Sequence, residues 1–341
     1  MLDSIGVVTL SHGAGGRDMR RLLDTLILPT LSNGQHQSSD AASFDWQQVA
    51  GDQRLVFTSD SFTVSPRHFP GGDLGSLAVY GTVNDLATAG ATPLYLSCSL
   101  IIEEGLPLEE LQYLLTSMRR AADASDIAIV TGDTKVVPRG GVDGLFINTA
   151  GIGAAARELQ LGKTPISEQD RIIVSGPMGD HGVAILCARG DLKLESSVES
   201  DCRPIHLYSR ALLDACPETR VIRDATRGGV ATVISEIVQG SGLGAWLDES
   251  SLPVRQGVRS ACELLGFDPL WLANEGTFVA VVPERDCESA LKALRAFPAC
   301  KNACAIGGFS PHYPDNVALR TRFGGERSLD VPSGELLPRI C

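Results

Sequence analysis

The sequence predicts an α/β (α+β) protein in two units, and three observations carry that expectation. Short apolar, strand-like runs alternate with segments of helical periodicity along most of the 341 residues. Hydrophobic residues make up 43% of the chain against 21% charged, the balance of a protein that buries real cores. The 36 glycines supply the tight strand–helix turns such an architecture needs. The length alone sets a prior of two to three domains.

The first unit follows a polar loop at 32–43. A strand over 54–58 runs into Ser59 and Asp60. Leu77, Val79, Val83, Leu86 and Ala87 recur near helical spacing and predict a helix over 74–89. A strand is expected over 94–102, a long amphipathic helix over 108–125, and strands over 127–131 and 145–154. The second unit opens after a linker at 162–170. A strand at 171–175, a glycine-rich turn at 176–182 and a helix at 183–189 begin it. A strand at 220–224 then leads through Ala225-Thr226-Arg227-Gly228-Gly229 into a helix over 230–239. Residues 272–275 precede a strand at 277–282, and 285–297 reads as helical. The expected organisation is an N-terminal segment (1–40) with a glycine-rich loop, an N-terminal domain (41–158), a C-terminal α/β domain (159–318) and a mobile tail (319–341). Two prolines, Pro332 and Pro338, and little periodicity near its end favour an extended tail.

Composition excludes several classes of function. A formal charge of −12 argues against non-specific nucleic-acid binding, which needs basic surface. No apolar run approaches the roughly 20 residues of a membrane helix. The first residues lack the basic and apolar regions of a secretory signal, so a cytoplasmic location is expected. Nine scattered cysteines fit reduced thiols. Cys300 and Cys304 lie close together, but without CxxC spacing or nearby histidines they do not suggest zinc.

The chain ends in Pro338-Arg339-Ile340-Cys341, which places a thiol on a segment able to swing. Asp60, Asp85, Asp133 and Asp224 are each expected where a strand runs out into a turn. Carboxylates at strand ends border the crevice where α/β folds bind ligands, and hard cations such as Mg²⁺ take oxygen ligands together with phosphate oxygens. Singly, each is an ordinary turn or cap residue; as a set they suggest metal–nucleotide binding. There is no Walker A sequence. Ser11 to Arg17 and Arg227-Gly228-Gly229 are the segments able to approach phosphate closely. Lys135, Glu275 and His181 stand in locally uncharged stretches and are candidates for proton transfer.

Taken in order, SHGAGG (11–16), FTSDSF (57–62), FPGGDLG (69–75), GTVNDLA (81–87), YLSCSLIIEEGLP (95–107), IVTGDTKVV (129–137), LFINTAGIG (145–153), SGPMGDHG (175–182), RDATRGG (223–229), CELLGFD (262–268), ANEG (273–276) and PRIC (338–341) resemble the HypE family of hydrogenase maturation factors. These are carbamoyl dehydratases of the aminoimidazole-ribonucleotide synthetase and selenophosphate synthetase superfamily. The resemblance implies two α/β domains of the aminoimidazole-ribonucleotide-synthetase-like fold, a homodimer built through the N-terminal domain, and an ATP site between the domains. It implies that Asp60, Asp85 and Asp133 hold Mg²⁺ and phosphates with Asn84 nearby. Asp224, Thr226 and Arg227 would be the second domain's contribution, and Lys135 and Glu275 would assist dehydration. The carbamoyltransferase HypF would place a carbamoyl group on Cys341. ATP would activate its oxygen, loss of water would leave a thiocyanate, and a HypC–HypD complex would receive the cyano group for the hydrogenase iron. The alternatives are an ATP-dependent small-molecule synthetase or kinase of the same superfamily, and a scaffold that only presents its tail.

Overall fold

The computed structural model describes residues 6–32, 41–190 and 197–330. Cys341 lies outside the described residues. After a 3-10 turn at Leu10–Gly13, a helical stretch that the sequence pattern did not signal runs through α1 (Arg17–Leu22), a π-helical turn (Leu23–Ile27) and α2 (Leu28–Leu31). It buries Leu22, Leu26, Ile27 and Leu31. Helix α3 (Trp46–Ala50) is capped by Asp45, which accepts from the N–H groups of Gln47 and Gln48.

The N-terminal sheet is built from β1 (Arg54–Phe62), β4 (Thr92–Glu103), β5 (Ala128–Val137) and β6 (Leu145–Ala155), in the order β1-β6-β4-β5. A small ribbon, β2 (His68–Phe69) and β3 (Gly72–Asp73), delivers the chain into α4 (Leu74–Thr88), and α5 (Leu108–Ala124) lies beside it. Period-two alternation gives the sheet two unlike faces. Leu96, Cys98, Leu100 and Ile102 are buried against the helices. Leu55 and Phe57 of β1, 54% and 63% exposed, stand with Ile101 on the open face.

Strands β1 and β5 continue past their expected ends, through Thr-Ser-Asp-Ser-Phe and Gly-Asp-Thr-Lys-Val-Val. Their β-branched and polar side chains suit a half-open sheet. Asp60 and Asp133 therefore lie within strands and Asp85 lies within α4; of the four aspartates expected in turns, only Asp224 ends a strand.

The C-terminal domain contains β7 (Asp170–Val174), α6 (Asp180–Arg189), α7 (His206–Ala215), β8 (Val221–Asp224), α8 (Gly229–Val238), β9 (Gly244–Asp248), α9 (Gln256–Leu265), β10 (Phe278–Pro283), α10 (Cys287–Arg295), β11 (Cys304–Ser310), β12 (Val317–Arg320) and β13 (Glu326–Ser328). Its seven strands run in the order β13-β12-β9-β11-β7-β10-β8, and within it only β9–β12 is parallel. The expected tail from 319 opens inside this sheet: Leu319 pairs with Leu247 and Arg327, and Leu329 is 4% exposed.

Helix α4 joins the two halves. Asp73 and Ser76 form a reciprocal capping box at its start, and Gly90 follows its end with φ +71°. It is apolar nearly all round, as a helix enclosed on every side must be. Leu74, Leu77, Ala78, Val79, Val83 and Leu86 fill the N-terminal core, while Ala87 packs with Ile173, Ile205 and Leu212 of the second domain.

Candidate active site

The cleft beside α4 collects carboxylates from both domains. Alternation along β1 turns Thr58, Asp60 and Phe62 towards α4, and the Thr58 hydroxyl donates to Asp85 Oδ2 at 2.8 Å. Across the cleft, Asp224 ends β8 opposite Phe278 of β10, and Glu275 stands three residues before Phe278. Thr226 and Arg227 then follow Asp224 in the turn that starts α8. That turn needs its glycines: Gly228 and Gly229 have φ of +73° and +62°, and a Cβ on Gly229 would meet the Leu270 and Leu272 carbonyls at 2.5 Å. The result is a helix N-terminus beside an acidic group, with backbone N–H groups suited to an anion.

The acids raise one another's proton affinity. Burial pushes the Glu275 carboxyl well above its ordinary range, and the charges of Asp201, Asp224, Asp60 and Asp85 push it further. Burial is also the first cause at Asp85, which is raised to about 6; the Asp224 charge adds to it and the Thr58 hydroxyl opposes it. Asp224 is raised by burial first, with Arg223 and Arg227 offsetting part of the effect. Carboxylates held this close in a desolvated cleft favour an arriving cation. Among the described residues no three His, Cys, Asp or Glu side chains converge tightly enough to cage a metal alone. The donor set fits Mg²⁺, which takes one or two carboxylates and fills its other positions with phosphate oxygens and water.

Asn84, expected near the nucleotide, is bonded to the protein in this structure. It is 2% exposed, and its side chain is occupied by the protein. Nδ2 donates to the Arg203 and Glu275 carbonyls at 3.1 and 3.0 Å, and Oδ1 accepts from Ile205 N–H at 2.9 Å. Asn84 thus clasps α4 to the second domain. Asn274, fully buried, similarly ties its loop to Ala225, Leu272 and Gly179. Asp201 accepts from the N–H groups of both Glu275 and Gly276. Sequence pattern alone missed Asn274 and Asp201. The one available signal, a polar residue in an apolar and glycine-bearing run, exists for Asn274 and not for Asp201.

Asp133 and Lys135 are not in this cleft. Strand β5 is the far edge of the N-terminal sheet, three strand spacings or about 14 Å from β1. They also face the other way. Asp133 pairs with Ser99 and Lys135 with the half-exposed Ile101, while Thr134 between them is buried beside Leu100. Asp60 pairs with the fully buried Thr149 on the covered face. Asp133 and Lys135 are ion-paired at 2.7 Å with side chains 54% and 63% exposed, and the Lys135 ammonium holds the Asp133 carboxyl below its usual range. The glycine segment near the N-terminus joins this edge, with Gly13 against Val136. His181 is fully buried, with Nδ1 2.8 Å from Ser200 Oγ and its ring edge-on to Phe69. It secures a loop rather than facing the cleft.

Comparisons with known proteins show the family and the fold. Residues 38–155 match the family model of the AIR synthase related protein N-terminal domain, and 167–312 match that of the C-terminal domain. The chain is 45% identical over 340 residues to the carbamoyl dehydratase HypE of Rhodobacter capsulatus, covering 98% of each. A solved structure of hydrogenase maturation protein HypE in complex with ATP superposes with a TM-score of 0.91 at 41% identity, covering 98% of this chain and 99% of that one. A HypE chain from a HypE–HypF complex superposes at 0.78 with 43% identity, over 82% and 90% of the two chains. On fold, domain composition and full-length identity, the chain belongs to the HypE family of carbamoyl dehydratases, enzymes of hydrogenase maturation.

Proposed function

We propose that this protein dehydrates an S-carboxamide on its own Cys341 to a thiocyanate, using ATP, and so supplies the cyanide ligands of a hydrogenase iron centre. The observation that carries the proposal is the junction of Asp60, Asp85, Asp224 and Glu275 with the N-terminus of α8. A carboxamide oxygen is a poor leaving group. It attacks the γ-phosphorus of ATP, the bond to ADP breaks, and the oxygen departs later as phosphate. The two N–H protons leave as the C–N triple bond forms, so the net change is one water transferred to ATP hydrolysis.

Each residue then has a task. Asp60 and Asp85 would hold Mg²⁺, which offsets charge on the transferring phosphoryl group when bound. Asp224, Thr226 and the N–H groups of the first turn of α8 beyond Gly229, whose own N–H donates to the Thr226 carbonyl, orient the phosphates, with Arg227 supplying positive charge. Glu275 takes an N–H proton, and burial with the neighbouring carboxylates raises its affinity for it. Asp133 and Lys135 enter from a second copy of the chain, because one chain puts them on the wrong edge and face of its sheet. The open face with Leu55, Phe57 and Ile101 is the surface through which a homodimer would form.

The tail is long enough. The described chain ends beside β13, and Asp224 ends β8 at the opposite edge, six strand spacings or about 29 Å away. Residues 331–341 span at most about 36 Å. HypF, the partner of the related chain, would load the thiol, and a HypC–HypD complex would take the cyano group.

The test is intact-mass measurement of the C-terminal peptide after incubation with HypF and its carbamoyl donor, with and without ATP. A carbamoyl gain in both samples and loss of one water only with ATP is expected, and Cys341→Ala shows neither. A Cys341→Ala protein that still donates cyanide would refute the tethered-substrate mechanism. So would retained turnover of a free carboxamide by a chain lacking its last four residues.

A further inference from the structure

Glu275 stands on a connection, not on a strand, so something other than a ladder must fix it. Two successive backbone N–H groups there are held by a single side chain. Asp201, 2% exposed, accepts from Glu275 N–H through Oδ1 at 2.9 Å and from Gly276 N–H through Oδ2 at 3.0 Å. Two charge-assisted bonds to successive amides set both the position and the orientation of that turn. The approach leaves no slack: a Cβ on Gly276 would lie 1.9 Å from the Asp201 carbonyl.

The segment carrying Asp201 is itself tethered at several points. Arg203 Nε donates to the Asp201 carbonyl at 3.0 Å, and Ser200 N–H donates to the Pro70 carbonyl at 2.8 Å. Asn84, on α4 one residue before Asp85, binds the carbonyl of Glu275 and the backbone of Arg203 and Ile205. The base is therefore located from both sides: Asp201 holds its N–H and Asn84 holds its C=O. The negative charge of Asp201 is the largest influence on Glu275 after burial.

Resting on the assignment of Glu275 as base, we infer that Asp201 is its positioning residue, placing the Glu275 carboxyl through the paired amides of Glu275 and Gly276. Asp201 acts through Glu275 and does not touch nucleotide or tail.

The test uses the full-length protein, carbamoylated on its tail by HypF, then given Mg²⁺ and ATP. The rate of thiocyanate formation and the KM for ATP are measured for the unaltered chain, Asp201→Asn, Glu275→Gln and the double variant. An asparagine keeps the shape but offers one accepting oxygen, and its amide confronts the second N–H. Asp201→Asn should slow conversion about 10- to 100-fold, the scale of a small displacement of a reacting group, with KM for ATP changed less than twofold. In the Glu275→Gln background it should cost less than a further twofold, because residues acting as a unit are not additive. Asp201→Glu, which restores both oxygens one methylene further out, should recover part of the rate and serves if the asparagine variant does not fold. An unchanged rate in Asp201→Asn, an equal loss in both backgrounds, or a parallel rise in KM overturns the inference while leaving the proposed function intact. Failure of the unaltered chain to form thiocyanate overturns the proposed function itself.

Discussion

The same residue types sit in opposite electrostatic states at two places in this chain. At the domain junction, the half-buried Asp85 and Asp224 and the buried Glu275 are each pushed above their ordinary range. On the far edge of the N-terminal sheet, Asp133 is solvated, neutralised by Lys135 and held below it. The first group strains the empty protein and gains most from a cation. The second is at rest alone and gains only from what is brought to it. A site that binds Mg²⁺ and nucleotide from one chain and takes its remaining polar groups from a second copy would show this division.

The largest expected effect comes from removing one charge on each side. Asp85→Asn keeps the Thr58 contact's geometry but removes a half-buried like charge. It should weaken Mg²⁺-dependent ATP binding at least about 100-fold by calorimetry, two lost charge-assisted contacts' worth, while raising the melting temperature of the ligand-free protein. Asp133→Asn should leave that temperature within about 1–2 °C, as an exposed substitution does. If both variants shift stability alike, the contrast between the two places is wrong.

A subunit-mixing experiment sharpens the comparison. Lys135→Ala and Glu275→Gln should each be inactive alone. If Lys135 serves the site of a second copy, co-refolding equal amounts gives hybrid dimers with one intact site, returning about a quarter of full activity. No recovery, with hybrid formation verified by native mass spectrometry, would place Lys135 and Glu275 in one chain's site.

How much of this was legible beforehand depended on range. Helix α4 announced itself through apolar spacing, a local signal. The seven-stranded order could not be read, because strands such as β9 and β12 are short and pair across long separations. Asp60 and Asp133 looked alike, each in a Ser/Gly-Asp-Ser/Thr context, and only sheet order and register separated them. Asn84 looked like a ligand because it adjoins Asp85; its neighbours at 203, 205 and 275 are invisible from sequence. Asp201 carried no motif at all, since its partners are backbone amides more than seventy residues away.

The smallest effect tests the junction's charge state directly. Asp85 holds its proton with a pKa of about 6, against about 3.9 for an unfolded aspartate. A raised acid stabilises the folded state below the unfolded value and loses that contribution as pH rises through the folded one. The unaltered ligand-free protein, measured against Asp85→Asn, should therefore lose relative stability between pH 4 and 6 and level off above about pH 7. A cation reverses the sign: it binds the ionised group, so ATP–Mg²⁺ affinity should rise with pH up to about 6, by at most about tenfold per unit, with protons released on binding at pH 5.5. Thermal melts of both proteins across that range, and calorimetry in two buffers of different ionisation enthalpy, measure the two halves. A relative stability flat from pH 4 to 7 would mean that Asp85 is neutralised within the folded chain, and the junction would then be no more strained than the Asp133–Lys135 edge.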